Sequence, residues 1–371
     1  SVRAADPDLS QYRYFRYPNG EEHIYDLVAD PGETTNIVET APLDVLRRTM
    51  VDNALDLGLD LRGFENPQRG VNAMMALDGS VVLAGGTADN DYWAYGANAE
   101  KISEDEDGGN DTLWYMAGPD DYVLHMPAYI ENIRIATVVA REEQDPSKGK
   151  PIAVVAHPDT PMNFETSERV AVNVQGSRGA DVMIGAKYAG ATFYGGAGDD
   201  MLIAKSVRGQ AVHLFYGGAG NDTLIGGNGR DILDGGAGND VIRGGAGRSK
   251  IYGGPGNDDI SDGEGGSEIH TGPGRNRVKS AGGDDTIYIG SGHNTIEPGK
   301  GRATFHVAYG GVTTLTGWED DYTLDLSDWP AAPTITIDEG RGAELRLGVA
   351  VVRINAAVSA SQLQSQIQQS R

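Results

Sequence analysis

From Gly217 to His306 the chain runs in unbroken nines: GGAGNDTLI, GGNGRDILD, GGAGNDVIR, GGAGRSKIY, GGPGNDDIS, DGEGGSEIH, TGPGRNRVK, SAGGDDTIY, IGSGHNTIE, PGKGRATFH. The eighth place is held by Leu224, Leu233, Ile242, Ile251, Ile260, Ile269, Val278, Ile287, Ile296 and Phe305, and is never polar. A fixed nine-residue period requires a repeat architecture, in which each unit is too small to bury its own apolar face and must stack on its neighbours. Glycine follows the same division, since 34 of the 53 lie between residues 176 and 306. Glycines permit tight turns at positive φ, and a lone apolar residue in each unit can point inward to stack on its neighbours.

These nonapeptides resemble the GGxGxDxUx repeats of the RTX (repeats-in-toxin) family. The resemblance implies that the first six residues of each unit form a turn and the last three a strand. Two units then make one coil of a parallel β-roll that takes up calcium. The fold class expected is all-β: a parallel β-roll of calcium-binding nonapeptide repeats with a β-rich N-terminal flank and a C-terminal β cap. The expected domains are 1–60, 61–172, the roll at 173–306, and a cap at 307–371.

In a two-turn coil, alternate repeats fall on opposite edges, so a metal held between stacked turns draws on residues 18 apart. Upstream of Gly217, the turns at Gly195 and Gly176 are displaced by 22 and then 19 residues, and they join the same edge. The sixth places of that edge read Asp181, Asp200, Asp222, Asp240, Asp258, Asn276 and Asn294. Each carries a side-chain oxygen, and calcium prefers several oxygen ligands that mix carboxylates with carbonyls. Calcium is therefore expected in the gaps 181/200, 200/222, 222/240 and 240/258, with 258/276 weaker because Asn brings no charge. The opposite edge reads Asp231, Ser249, Ser267, Asp285 and Ala303, with Arg230, Arg248 and Arg302 at fifth places. Asp231 and Asp285 are the candidate ligands there, and Arg248 with Lys250 is read as a fixed cation replacing an ion beside Ser249. One apolar side chain per nine residues returns too little to offset the ordering of nine backbones. The metal is thus expected to be a condition of folding.

The net charge of -24 repels phosphate backbones and anionic lipid, which argues against nucleic-acid and membrane-surface partners. The absence of Cys removes disulfides, thiolate metal sites and a thiol nucleophile. No apolar run is long enough to span a bilayer, and the first residues lack the apolar core of a secretory signal. The seven histidines show no HExxH or HxH spacing, and no phosphate-cradling GxxxxGK[ST] occurs.

The flanks read differently. Gln11 to Val38 alternates as a strand, a turn at Pro18-Asn19-Gly20, a second strand and an Asp-Pro-Gly-Glu turn. This segment resembles the C-terminal strands of sulfatases, whereas the sulfatase C/S-x-P-x-R signature is missing. No catalytic residue is expected in this chain, and a sulfatase core, if the resemblance holds, lies outside it. Pro42 to Leu61 is read as an amphipathic packing helix. Residues 70 to 172 alternate apolar and polar over short runs and are expected to be β-rich. Gly85–Asp91 and Gly108–Asp111 look like degenerate repeat turns, for which plain turns are preferred to calcium at Asp91 or Asp111. The acidic run 104–107 is read as a solvated loop. In the tail, Ala356 to Arg371 suits either a short capping helix or the uncleaved type I secretion signal that the family resemblance implies. That resemblance also implies an extracellular protein, secreted or on the surface of a Gram-negative bacterium, whose partners are calcium and a type I secretion apparatus.

Overall fold

The computed structural model describes residues 151–166, 171–205, 211–338 and 341–368 throughout, with individual strands and short stretches between residues 2 and 137. It divides into two units, Ser1–Arg178 and Gly179–Arg371. Strands dominate both, and the one helix among the described residues is Ala360–Gln366.

In the second unit the nine-residue period becomes a parallel two-sheet winding. One sheet stacks Val182–Ile184, Met201–Ile203, Thr223–Ile225, Val241–Arg243, Asp259–Ser261, Arg277–Lys279, His293–Glu297 and Val312–Leu315 in parallel. The other stacks Ala191–Ala197, Leu214–Ala219, Ile232–Ala237, Lys250–Tyr252, Glu268–His270, Asp285–Ile289, Ala303–Val307 and Tyr322–Asp325. Thr223 pairs with Val241 and Val241 with Asp259, which is the 18-residue coil read from the repeat. The displaced coils also fall where the turns put them, Val182 opposite Met201 and Met201 opposite Thr223. All ten eighth-place residues, Leu224 through Phe305, have 0% exposure, so the single apolar column forms the core between the sheets.

The glycines at the turns are there because neighbouring coils pass too close for a side chain. Gly236 has φ +96°, and a Cβ on it would run into the carbonyl oxygen of Gly218 one coil earlier. Only glycine meets both conditions without strain.

Downstream, the winding continues for one more strand in each sheet, and then its direction changes. Ala350–Ile354 pairs parallel with Val312–Leu315 on one side and antiparallel with Gly342–Leu347 on the other, and Thr334–Asp338 closes the meander. The helix Ala360–Gln366 starts in a capping box between Ser359 and Gln362. It docks through Leu363, which is fully buried, and through Gln366, whose amide binds Trp318 Nε1 at 2.9 Å and the carbonyls of Glu319, Asp320 and Tyr322 at 2.8 Å each.

The first unit holds an antiparallel hairpin, Tyr12–Arg16 with Glu22–Asp26, edged by Val2–Arg3. The described residues between 72 and 172 are mostly strands, which wind as parallel coils without a fixed period. Asn72–Ala76, Asn90–Tyr95, Thr112–Ala117, Asn132–Thr137 and Asn163–Thr166 form one parallel sheet. Val123–His125, Ile152–Val155 and Val172–Gln175 form another. Tyr92, Leu113, Ile133 and Phe164 are aligned across the first sheet and buried. The coil length varies, with Asp91 opposite Thr112 but Asn132 opposite Asn163, which hides the winding from a search for a constant period. The expected helix at 42–61 and the polar stretch at 145–150 lie outside the described residues.

Candidate metal centre

Each sixth-place acid of the first edge is wired to the coil before it. The Asp181 amide donates to Asp200 Oδ1 at 2.8 Å, Asp200 to Asp222 at 2.8 Å, Asp222 to Asp240 at 2.8 Å, Asp240 to Asp258 at 3.0 Å and Asp258 to Asn276 at 2.9 Å. The exposed fifth places are zipped in the opposite sense. There the later amide donates to the earlier side chain: Asn221 to Asp199, Asn239 to Asn221 and Asn257 to Asn239. The turns are therefore held in register by two antiparallel columns of side-chain acceptors.

This wiring occupies one oxygen of each carboxylate and leaves the second. Among the described residues, the Oδ2 atoms of Asp200, Asp222, Asp240 and Asp258 are buried and lack a hydrogen-bond partner. The same oxygens converge with glycine-turn carbonyls on the space that a Cβ would fill at the first glycine of each repeat. At Gly195 that space is bounded by Asp200 Oδ2 and Gly217 O, and at Gly217 by Asp222 Oδ2 and Gly235 O. At Gly235 it is bounded by Asp240 Oδ2 and Gly253 O, and at Gly253 by Asp258 Oδ2 and Thr271 O. A row of buried carboxylate oxygens beside backbone carbonyls, without nitrogen or sulfur, is the donor set of a hard divalent cation such as calcium.

The charges confirm that the row is costly as it stands. Burial, reinforced by the neighbouring carboxylates Asp181, Asp222 and Asp199, pushes Asp200 up to about 7. Burial likewise pushes Asp222 and Asp258 up to about 6 and raises Asp240. A cation in each cradle would remove both the desolvation and the mutual repulsion.

The structure distributes the candidate ligands unevenly. Asp200, Asp222, Asp240 and Asp258 share one geometry, and their free oxygens face the gaps 200/222, 222/240, 240/258 and 258/276. The last gap, expected to be weaker because Asn brings no charge, is faced by the free oxygen of Asp258. Asn276 keeps the same wiring through Oδ1, while its Nδ2 donates to Gly272 O and to Asn294 Oδ1 at 3.1 Å each. Asp181 is buried at the head of the row.

On the opposite edge Asp231 is satisfied, with Oδ1 accepting from the His213 amide at 2.8 Å and Oδ2 from the Gly227 amide at 2.7 Å. Ser249 Oγ donates to the carbonyl of Gly244 at 3.2 Å, occupying an acceptor of the kind that faces the carboxylate row on the first edge. Lys250 does not replace an ion beside Ser249: its Nζ lies 2.9 Å from Glu268 on the next strand of its sheet. Arg248 is exposed. Asp285 Oδ1 accepts from the Ser267 amide at 2.8 Å, and its carboxyl faces that of Asp262. Asp262 stands at a first place where glycine is the rule. Its carboxyl is pushed up to about 7 by burial and by the charge of Asp285. The sequence pattern does not single it out, because acids are sought at the fifth and sixth places and Asp262 stands at a glycine place.

The family model for the RTX calcium-binding nonapeptide repeat matches in four copies, at residues 192–206, 214–242, 234–266 and 261–296. The β-roll between residues 192 and 296 is built of RTX calcium-binding repeats. The match includes Asp200, Asp222, Asp240 and Asp258, each with its cradle. No curated protein matches the chain. RTX rolls of this kind are generally non-catalytic. Among the described residues, no helix is long and apolar enough to cross a membrane.

Proposed function

We propose that the RTX roll of this chain is a folding module switched by extracellular calcium, in the C-terminal part of a secreted bacterial protein. Asp200, Asp222, Asp240 and Asp258 would hold the ions against glycine-turn carbonyls, with Asp181 and Asn276 at the ends of the row; Asp231 and Asp285, on the opposite edge, would lie outside it. The observation that carries this reading is the row of four buried Oδ2 atoms without partners. Where calcium is scarce the row repels itself and the chain stays unfolded; where calcium is abundant, binding and folding are one event. The folded roll then stabilises what lies upstream. The family resemblance adds export by a type I secretion apparatus from a Gram-negative cell, with the C-terminal segment as its signal. Circular dichroism of the full chain tests the switch: strand signal is expected in millimolar calcium and its loss in chelator. An unchanged spectrum contradicts the proposal.

A second reading, an accessory portion of a secreted sulfatase, is supported by the hairpin at Tyr12–Arg16 and Glu22–Asp26, which has the strand order of the sulfatase-like tail. Finding a C/S-x-P-x-R motif upstream in the same reading frame would support it, and its absence there would remove it.

A further inference from the structure

Thr334–Asp338 is the terminal strand of its sheet. It pairs antiparallel with Gly342–Leu347 on one side, and among the described residues no strand pairs with the other. Alternate residues of such an edge turn their amides and carbonyls outward, where they form a template for a further strand. The usual protections of an edge are absent: the strand reads TITID, without Lys or Pro, and its one charge, Asp338, stands at the end. The apolar layer beneath it also stops short. Ile335 and Ile337 lie opposite Leu345 and Ala343, which are 0% and 7% exposed, yet both isoleucines are only half-buried. Charge is low here too, since residues 329–371 carry three acids and four arginines in a chain of net charge -24. Asp338 itself is met by Arg341 at 3.8 Å. Two copies can therefore meet at this end without the repulsion that the rest of the chain imposes.

We infer that Thr334–Asp338 is the contact of a two-fold dimer, in which the strand pairs antiparallel with the same strand of a second copy, centred on Thr336. The ends of the strand fix the register. Pro333, just before it, has no amide hydrogen to give, and after it the chain turns back, the Arg341 amide donating to Asp338 O at 2.9 Å. Pairing all five residues sets Thr336 opposite its own counterpart, Ile335 opposite Ile337 of the second copy, and Thr334 opposite Asp338 of the second copy. These are β-branched pairs of the kind that stabilise a sheet, and no like charges are opposed. The isoleucine pairs carry the apolar layer of Leu345 and Ala343 across the axis, covering what one copy leaves half-buried. Such a contact is self-complementary and closes at two copies. Five paired residues cover less than the roughly 1,200 Å² of a standard interface, so the dimer is expected to be reversible.

Sedimentation of the full chain in millimolar calcium, over micromolar to millimolar protein, is expected to show monomer passing to dimer and nothing larger. Thr336→Lys sets two ammonium groups face to face on the axis, on the face away from the apolar layer. It is expected to raise the dissociation constant at least about tenfold with the strand signal unchanged. The register can be read directly, because the chain has no Cys. Under mild oxidation Thr336→Cys is expected to cross-link two copies, since directly opposed Cα atoms lie about 4.5–5.5 Å apart, within disulfide reach. Thr334→Cys would sit about 13 Å along the strand from its counterpart and is expected not to cross-link. Monomer at every concentration, or equal cross-linking of both variants, would overturn the inference and leave the edge to a strand of another protein. An assembly that goes on growing with concentration would also overturn it, since a two-fold contact cannot extend.

Discussion

Asp222→Asn is the sharpest probe of the ladder because it separates the ion from the hydrogen bond. Asn keeps an oxygen for the Asp200 amide, now accepted by Asp222 Oδ1 at 2.8 Å, and loses the charged Oδ2 that meets Gly235 O at the Gly217 cradle. One ion, in the gap 222/240, should be lost. An ion present at about ten times its dissociation constant contributes about 1.4 kcal/mol, so four contribute about 5.7 kcal/mol. With three ions left to supply the same total, each must contribute about 1.9 kcal/mol, which requires about two to three times more calcium. The expected result is a calcium midpoint of the strand signal raised two- to threefold and a calorimetric ion count lower by one. Asp231→Asn, whose two oxygens are already bonded, should leave the count unchanged. An Asp222→Asn protein with wild-type midpoint and stoichiometry would refute the assignment of Oδ2 as a ligand.

Three further outcomes follow from the same geometry. Asp200, Asp222 and Asp258 have pKa values of about 7, 6 and 6 in the folded metal-free state, against 3.8 unfolded, so the folded state binds the extra protons. Metal-free stability should therefore rise as pH falls from about 7 towards 4 and be lost as pH climbs back through those values. Protons and calcium compete for the same oxygens, so the calcium midpoint should be higher at pH 5.5 than at pH 7.5; titrations with equal midpoints would contradict this. Gly236→Ala places a Cβ at φ +96° against the Gly218 carbonyl, a strain of at least about 1 kcal/mol that should lower the thermal midpoint in saturating calcium. Unchanged melting would show that the coils are less closely stacked than described.

Much of the roll is legible in the sequence because its contacts are one-dimensional. Leu224 must meet Ile242 and Ile260 once the coil is 18 residues, and the same arithmetic collects Asp200, Asp222, Asp240 and Asp258 on one edge. Reading failed where the period failed. The first unit winds in parallel without a repeat, because Tyr92, Leu113, Ile133 and Phe164 stack at unequal separations. Glu104 was read as part of a solvated acidic loop, yet it turns inward to Asn90 and Tyr92, contacts that no local pattern announces. Asp262 escaped notice because it breaks the repeat at a glycine place.

The sequence by itself determined the period, the buried column and the edge on which each acid lies, since these depend only on counting along a regular winding. Only the tertiary structure decided which acids keep a buried oxygen without a hydrogen-bond donor. Asp222 and Asp231 hold the same place in consecutive repeats, but Gly218 adopts positive φ and Gly227 does not. The Gly227 amide donates to Asp231 Oδ2, while Asp222 Oδ2 has no such donor. The orientation of a peptide group within the turn, together with the backbone of the coil stacked against it, separates a carboxylate oxygen left open from one already bonded, and neither is encoded in the residue type.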